Sequence, residues 1–287
     1  ELDRAKGGET ASSISRQRTD KTHEEAEMKS ILRCSILLIA VGLLVTFSTD
    51  ANAQLIKEIR FSAAEGYTEG PLLGQPAGAD NVWQEGNEGA EGNRDEIWVV
   101  SDGKLVITQD GQGNAIWAYI EFPEQLEGTI TVTWEWQYFG PEDGTVDIGL
   151  CISDTANFEN DGDPALNWPE QSAMSRMQQN DGVIDARDGD WFGEGDYAAF
   201  EEFPYADGSL VDERYEIDLD NQTYDVYVQK EGQDEVMLAD DFGFRYELID
   251  GLNAVTMWVN GADLETGAIV DNIVIAGPAS VGDWALH

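Results

Sequence analysis

What this chain of 287 residues has little of decides most of what it cannot do. Histidine occurs twice, as His23 and as the last residue, His287, which removes histidine-centred triads, histidine metal sites and most histidine acid–base chemistry. Cysteine also occurs twice, as Cys34 and Cys151. Bases are scarce: 16 Lys and Arg stand against 57 Asp and Glu, a net charge of −41. A field of that sign repels phosphates and anionic bilayers, so nucleic acid and membrane-surface partners are disfavoured. No apolar run reaches the roughly 20 residues that span a bilayer. Beyond residue 53 there is no apolar helical period of useful length and no internal repeat.

The first 53 residues read as delivery rather than structure. Met28-Lys29-Ser30-Ile31-Leu32-Arg33 is a short basic start, Ile36 to Phe47 is an apolar run of about a dozen residues, and Ala51-Asn52-Ala53 is a small-x-small cleavage site. The pattern predicts a secretory signal peptide over 28–53, a folded protein beginning at Gln54, and a secreted location, extracellular or periplasmic. Residues 1–27 lie upstream of this start and are expected to be non-native leader sequence or a mis-called start, outside the fold. The remaining 54–287 are expected to form a single domain with 49 acids and 9 bases, a net charge of −40 over 234 residues. Cys151 is then alone, so no intrachain disulfide can form and stability must come from a core supplied in part by all 9 tryptophans. Such acidity points to a saline milieu or to divalent cations among the carboxylates.

What is present in abundance is two-residue alternation. Ile130, Val132, Trp134, Trp136 and Tyr138 fall on one side of a strand and Thr131, Thr133, Glu135 and Gln137 on the other. Val146, Ile148, Leu150 and Ile152 repeat the pattern opposite Asp147, Gly149 and Cys151, after the turn-rich run Phe139-Gly140-Pro141-Glu142-Asp143-Gly144. The two read as a central antiparallel pair. Residues 97–101 and 104–108 around Asp102-Gly103, and 213–220 and 224–229 around Asn221-Gln222, read as hairpins. Further strands are expected at 55–61, 115–122, 235–239, 243–247, 253–259 and 268–276. Between them, 153–204 reads as a long acidic excursion with little periodicity, which in a compact domain is usually functional or flexible. The fold class is therefore all-β, a two-sheet antiparallel jelly-roll sandwich of roughly a dozen strands.

Four short motifs carry a family resemblance: Gly103-Lys104-Leu105-Val106-Ile107, the strand 129–138, the hairpin 215–228, and Val270-Asp271-Asn272-Ile273-Val274-Ile275. Together they span nearly all of 54–287 and resemble the concanavalin A-like lectin and glucanase superfamily, which includes laminin G-like domains. The galactose-binding-like jelly roll, whose last strand is often of the Asp271-Asn272 type, is the rival. The resemblance implies first and last strands side by side, and a structural calcium linking Glu65 to Asp271. The residues themselves offer a second oxygen-rich group, Asp154, Asp161 and Asp163.

Sandwiches of this class serve as lectins, lyases, hydrolases and adhesion domains, so function has to be read from residues. Sugar binding asks for aromatic rings to stack on C–H faces, with amides and acids for the hydroxyls. Trp117, Tyr119, Glu135, Gln137 and Asp147 alternate opposite to aliphatic positions, and Trp168 and Trp191 could wall such a surface. These predict a non-catalytic protein that binds an extracellular polysaccharide or glycan. Two enzymatic alternatives stand beside it. Glu216-Ile217-Asp218-Leu219-Asp220 resembles the acidic nucleophile strand of laminarinases and agarases, though it runs straight into a turn. Arg176, Arg187 and Tyr197 could neutralise a uronate and abstract its proton, as a lyase without histidine requires. A structural or adhesion domain of an envelope or matrix is a third reading.

Overall fold

The computed structural model describes residues 53–86, 94–108, 116–140, 147–159, 171–177, 182–189, 195–260 and 266–277. The chain divides into two units, 1–51 and 52–287, and every described residue lies in the second. Among the described residues, sixteen strands form two antiparallel sheets. The first sheet is built on β7 (Thr129–Phe139), flanked by β12 (Leu210–Asp218) and β16 (Gly267–Gly277). Beyond β12 come β13 (Thr223–Lys230) and β14 (Val236–Gly243); beyond β16 come β5 (Lys104–Thr108), β4 (Trp98–Ser101) and β2 (Gly70–Pro71). The second sheet runs β11 (Asp196–Pro204), β10 (Val183–Asp188), β9 (Ala173–Met177), β8 (Asp147–Ser153), β15 (Leu252–Asn260), β6 (Ile116–Gln125) and β3 (Gln84–Glu85). The expected all-β two-sheet antiparallel sandwich is the observed architecture. No helix among the described residues is long and apolar enough to cross a membrane.

The alternation on β7 does what the sequence predicts. Ile130, Val132, Trp134, Trp136 and Tyr138 are all within 1% of full burial, because every second side chain of a strand points to the same face. They meet Ile148, Leu150 and Ile152 of β8 and Val255, Met257 and Val259 of β15 in one core between the sheets. Two tyrosines pin the layers together: the Tyr215 hydroxyl donates to the Leu150 carbonyl at 3.0 Å, and the Tyr224 hydroxyl reaches the Met174 carbonyl at 2.9 Å. Their rings stack at 5.8 Å. At the β4–β5 turn Asp102 and Gly103 both take positive φ, 52° and 73°, the pair of left-handed residues that a tight two-residue hairpin requires. β1 (Gln54–Ile59) pairs with β16, so the first and last strands are neighbours.

Three expectations need correction. β7 and β8 are not partners: β7 belongs to the first sheet and β8 to the second, where it lies between β9 and β15. A buried face is common to both strands, and alternation says nothing about which sheet each face belongs to. Residues 243–247 do not form a strand; β14 is one strand that ends at Gly243. Finally, the segment 153–204 is not chiefly an excursion, since it supplies β9, β10 and β11. Their periodicity is hidden by burial on both faces: four of five β9 residues and four of six β10 residues are buried. On β9 the outer face mixes Met174 with Arg176, and on β10 the outer-face residues Asp185 and Arg187 are polar yet buried.

Candidate functional site

The cover over the outer face of the second sheet is a smaller apolar cluster of Trp117, Cys151, Met174 and Trp258, with Tyr119, Phe158 and Tyr197 packed against it. Strand register explains how residues far apart in sequence meet. Trp117 pairs with Trp258, Trp258 with Gly149, and Gly149 with Arg176, while Tyr119 pairs with Thr256 and Thr256 with Cys151. Glycine is needed at 149 because a Cβ there would sit 1.7 Å from the Trp258 indole nitrogen. The indole therefore lies flat across the β8 backbone, and Gly86 is crossed by Trp117 in the same way, at 1.9 Å.

One end of this face is aromatic. Phe158 meets Trp117 edge-on at 4.7 Å and Tyr119 at 5.1 Å, and the Tyr119 hydroxyl donates to Gln84 Oε1 at 3.2 Å. Tyr119 and Phe158 are half-buried and Trp117 is 6% exposed. Phe158 is carried by a 3-10 turn, Thr155–Glu159, and Asp154 anchors that turn. Its Oδ1 accepts the Ala156 N–H at 2.9 Å, and its Oδ2 accepts the N–H groups of Ile249, Asp250 and Gly251 at 2.7, 2.9 and 3.2 Å. Four backbone donors thus fill a carboxylate that is wholly buried. Asp154→Ala is expected to cost roughly 3–5 kcal/mol in urea unfolding, since charge-assisted bonds are worth about 1.5–3 kcal/mol each before the loop relaxes. A loss under about 1 kcal/mol would show that the loop does not depend on this carboxylate.

The other end is charged. Arg176 is held by Asp185 through Nε at 2.8 Å and Nη2 at 3.2 Å, and its Nη1 lies 4.0 Å from Asp147 Oδ1. Asn260 donates to Asp147 Oδ2 at 3.2 Å. The Arg176 guanidinium sits 3.5 Å from the Tyr197 ring centre and that of Arg187 5.2 Å from it. Burial pushes the Asp147 carboxyl up to about 6; Arg176 and Asn260 pull against this and Asp185 adds to it. Burial also raises the Tyr197 phenol, although Arg245 and Arg176 oppose the rise. Cys151 is free and buried, and burial raises its thiol as well.

The structure therefore brings together Trp117, Tyr119 and Asp147 from the predicted binding set, and Arg176, Arg187 and Tyr197 from the predicted lyase set. It separates Glu135 and Gln137, which lie on β7, on the outer face of the opposite sheet. The cause is the misassigned β7–β8 pairing. Trp168, Trp191, Asp161 and Asp163 lie outside the described residues. Glu216 pairs with Arg214, while Asp218 accepts the N–H groups of Asp220 and Asn221 at 3.0 Å and 3.0 Å. Hydrogen bonds from the Asn221 side chain and backbone hold the Asp218 carboxyl below its ordinary value. That makes Asp218 a turn cap, and Asp220 accepts the Gly128 N–H at 3.4 Å.

Each acid of the implied calcium pair is engaged by the protein itself. Glu65 accepts the N–H groups of Arg60 and Ser62 and the Ser62 hydroxyl. Asp271 instead faces Lys104 at 3.6 Å and accepts the Asn272 N–H. With Asp154 filled by backbone donors, these three acids do not fit a calcium site. Among the described residues no group of three or more His, Cys, Asp or Glu could hold a metal ion.

Sequence reading missed Trp258 and Glu213. Trp258 stands in the otherwise polar row Thr256, Trp258, Asn260, and Glu213 in the otherwise apolar row Val211, Glu213, Tyr215, Ile217; a residue out of keeping with its row is the signal that could have found each. The Glu213 carboxylate is 2% exposed inside the core, and its Oε2 accepts both indole N–H groups of β7, from Trp134 at 2.8 Å and Trp136 at 3.2 Å.

No protein-family model matches the chain, and no curated protein matches it. Solved structures of similar shape include lectin II from Ulex europaeus, 8% identical, covering 78% of this chain and 100% of that one, with a TM-score of 0.47. Arcelin-5, a lectin-like defense protein from Phaseolus vulgaris, is 8% identical over 74% of this chain and 97% of that one, with a TM-score of 0.45. The carbohydrate recognition domain of Emp46p is 16% identical over 74% of this chain and 96% of that one, with a TM-score of 0.46. At such scores and identities nothing about ligand or activity follows from them.

Proposed function

We propose that this protein binds a glycan on the outer face of its seven-stranded sheet and performs no chemistry on it. The single observation that supports this reading is the juxtaposition on one face of the Trp117–Tyr119–Phe158 aromatic group and the Asp147–Asn260–Arg176–Asp185 polar group. Rings of this kind stack on the C–H faces of sugars, and such acids, amides and guanidinium groups match hydroxyls. In this reading the 28–53 segment directs export, and the partner is an extracellular polysaccharide. The convergence of Arg176, Arg187 and Tyr197 favours a lyase as the second reading. It is the weaker one, because a tyrosine base needs its phenol lowered, and burial here raises it.

A thermal melt of the full chain across neutral and acidic polysaccharides, with and without calcium, tests this. At 100 times its dissociation constant a ligand stabilises the native state by about 2.7 kcal/mol, which is roughly 5–10 °C for a domain of this size. The expected result is a shift with at least one glycan and no new reducing ends or unsaturated products. Tyr119→Ala should weaken that binding about tenfold, the value of one stacked ring. Product formation would overturn the reading in favour of an enzyme. The absence of any shift would leave the adhesion alternative.

A further inference from the structure

We infer that the glycan carries amino groups: the aromatic end of this face takes a protonated amino sugar, with its ring on Tyr119 and an ammonium against the Glu121 carboxylate. This rests on the glycan reading above and names the ligand class. Tyr119 and Glu121 alternate with core-facing Ile120 and Phe122 along β6, so both stand on the outer face, about 7 Å apart along the strand. Each is half-buried, so a ligand reaches it without any opening of the fold. Gln84, in register with Tyr119, is exposed. Its Oε1 accepts the tyrosine hydroxyl at 3.2 Å, which leaves the amide N–H groups to donate to a sugar hydroxyl. The Asn81 side chain donates to the Glu121 carbonyl at 3.5 Å, while the Glu121 carboxylate takes no hydrogen bond or ion pair among the described residues.

Charge decides between a neutral, an anionic and a cationic ring. The strands β3, β6 and β15 and the 155–159 turn, which make up this end, carry the acids Glu85, Glu121 and Glu124 and no base. Among the described residues, the bases in the strands of this sheet are Arg176 on β9 and Arg187 on β10, and both gather on Tyr197. β9 lies three strands from β6, about 14 Å at the usual strand spacing and beyond the ~8 Å screening length of physiological salt. Arg176 is also held by Asp185. The positive charge of the far end is therefore screened from Tyr119, and a uronate ring there would meet acids alone. An ammonium meets the opposite. It finds a carboxylate without a partner, the rings of Tyr119 and Phe158, whose faces attract cations, and around them the field of a chain with net charge −41. A neutral ring keeps the stacking and forgoes the ion pair.

The test compares trimers of one ring stereochemistry and linkage by calorimetry on the full chain at pH 6.0 and about 0.15 M salt, where surface charges more than ~8 Å apart are screened. They are cellotriose, the trimer of glucosamine, which carries an amine on every ring, and its N-acetylated form, whose amides are neutral. The expected result is that wild type binds the amino trimer at least tenfold more tightly than either neutral trimer, the sum of an ion pair and a cation–π contact. Glu121→Gln keeps the size of the side chain and should lower the ratio of amino-trimer to cellotriose affinity at least threefold. Tyr119→Ala should weaken the amino trimer about tenfold, which separates this site from the general attraction of an acidic surface for cations. Should Tyr119→Ala fail to fold, the wild-type comparison and Glu121→Gln decide. Equal binding of amino and neutral trimers, or an unchanged ratio in Glu121→Gln, would overturn the inference, and cellotriose binding would leave the glycan reading in place. Amino-trimer binding indifferent to Tyr119→Ala in a folded variant would overturn it as well. Failure of all three trimers on wild type, with no shift in the polysaccharide panel, would remove the reading it rests on.

Discussion

Trp258→Ala is expected to lower unfolding free energy by about 3–5 kcal/mol, the usual cost of emptying a fully buried tryptophan site. Trp258 has no exposed surface and lies at the centre of the outer-face cluster, across Gly149 and beside Trp117 in register. The complementary change approaches the same contact from below. Gly149→Ala places a Cβ 1.7 Å from the indole nitrogen, and overpacking of this sort costs about 1–3 kcal/mol. Because both changes disturb one contact, their sum should exceed the loss in the double variant. Urea unfolding at neutral pH measures all three. A cost under about 1 kcal/mol for Trp258→Ala would mean that the outer cluster is not a packed layer and cannot position the residues assigned to glycan contact.

Glu213 gives the second large effect. Glu213→Ala strands two buried indole N–H groups, those of Trp134 and Trp136, and opens a cavity between the sheets. Together these are expected to cost about 3–5 kcal/mol. Glu213→Gln keeps a neutral acceptor for both indoles and should behave differently with pH. Burial raises the Glu213 carboxyl above its ordinary value of 4.5, against the pull of Ser175 and the two indoles. Between the ordinary value and the raised one, the native state keeps a proton that the unfolded chain has lost. Wild-type stability therefore falls as pH rises through that window, while Glu213→Gln has no such loss. The difference between the two proteins in denaturant unfolding should be near zero at pH 4 and grow in favour of Glu213→Gln as pH rises. Parallel curves would show that Glu213 is ionised in the core and fully compensated there.

The contrast between these two residues shows what the sequence carried and what it could not. Strand existence was legible wherever one face is buried and the other wet: β7, β12, β13 and β16 all stand where the alternation puts them. It was missed in β9 and β10, where the outer-face residues are buried as well and β9 sets Met174 beside Arg176 on that face. Sheet membership was a separate matter. Glu135 and Asp147 alternate identically along their strands, and only the three-dimensional pairing of β7 with β12 and of β8 with β15 sends them to opposite sides of the molecule. Asp154 was taken as a calcium ligand by residue type, and type does not distinguish a metal ligand from a carboxylate that caps a loop with four backbone donors. The convergence of Arg176 with Asp147 and Asp185 depends on the register of three neighbouring strands, which no local pattern encodes.

Because the chain carries 9 tryptophans, the indole N–H signals of the full chain test the proposed glycan-binding face most directly. Their nitrogen–proton spectrum, assigned by single Trp→Phe changes, is followed while cellotriose, mannotriose or galactobiose is added at pH 7.5. The account predicts that the Trp117 and Trp258 signals shift with a common saturation curve while those of Trp134 and Trp136, locked on Glu213 inside the core, stay in place. Saturable shifts confined to other indoles, with Trp117 and Trp258 unmoved, would contradict it.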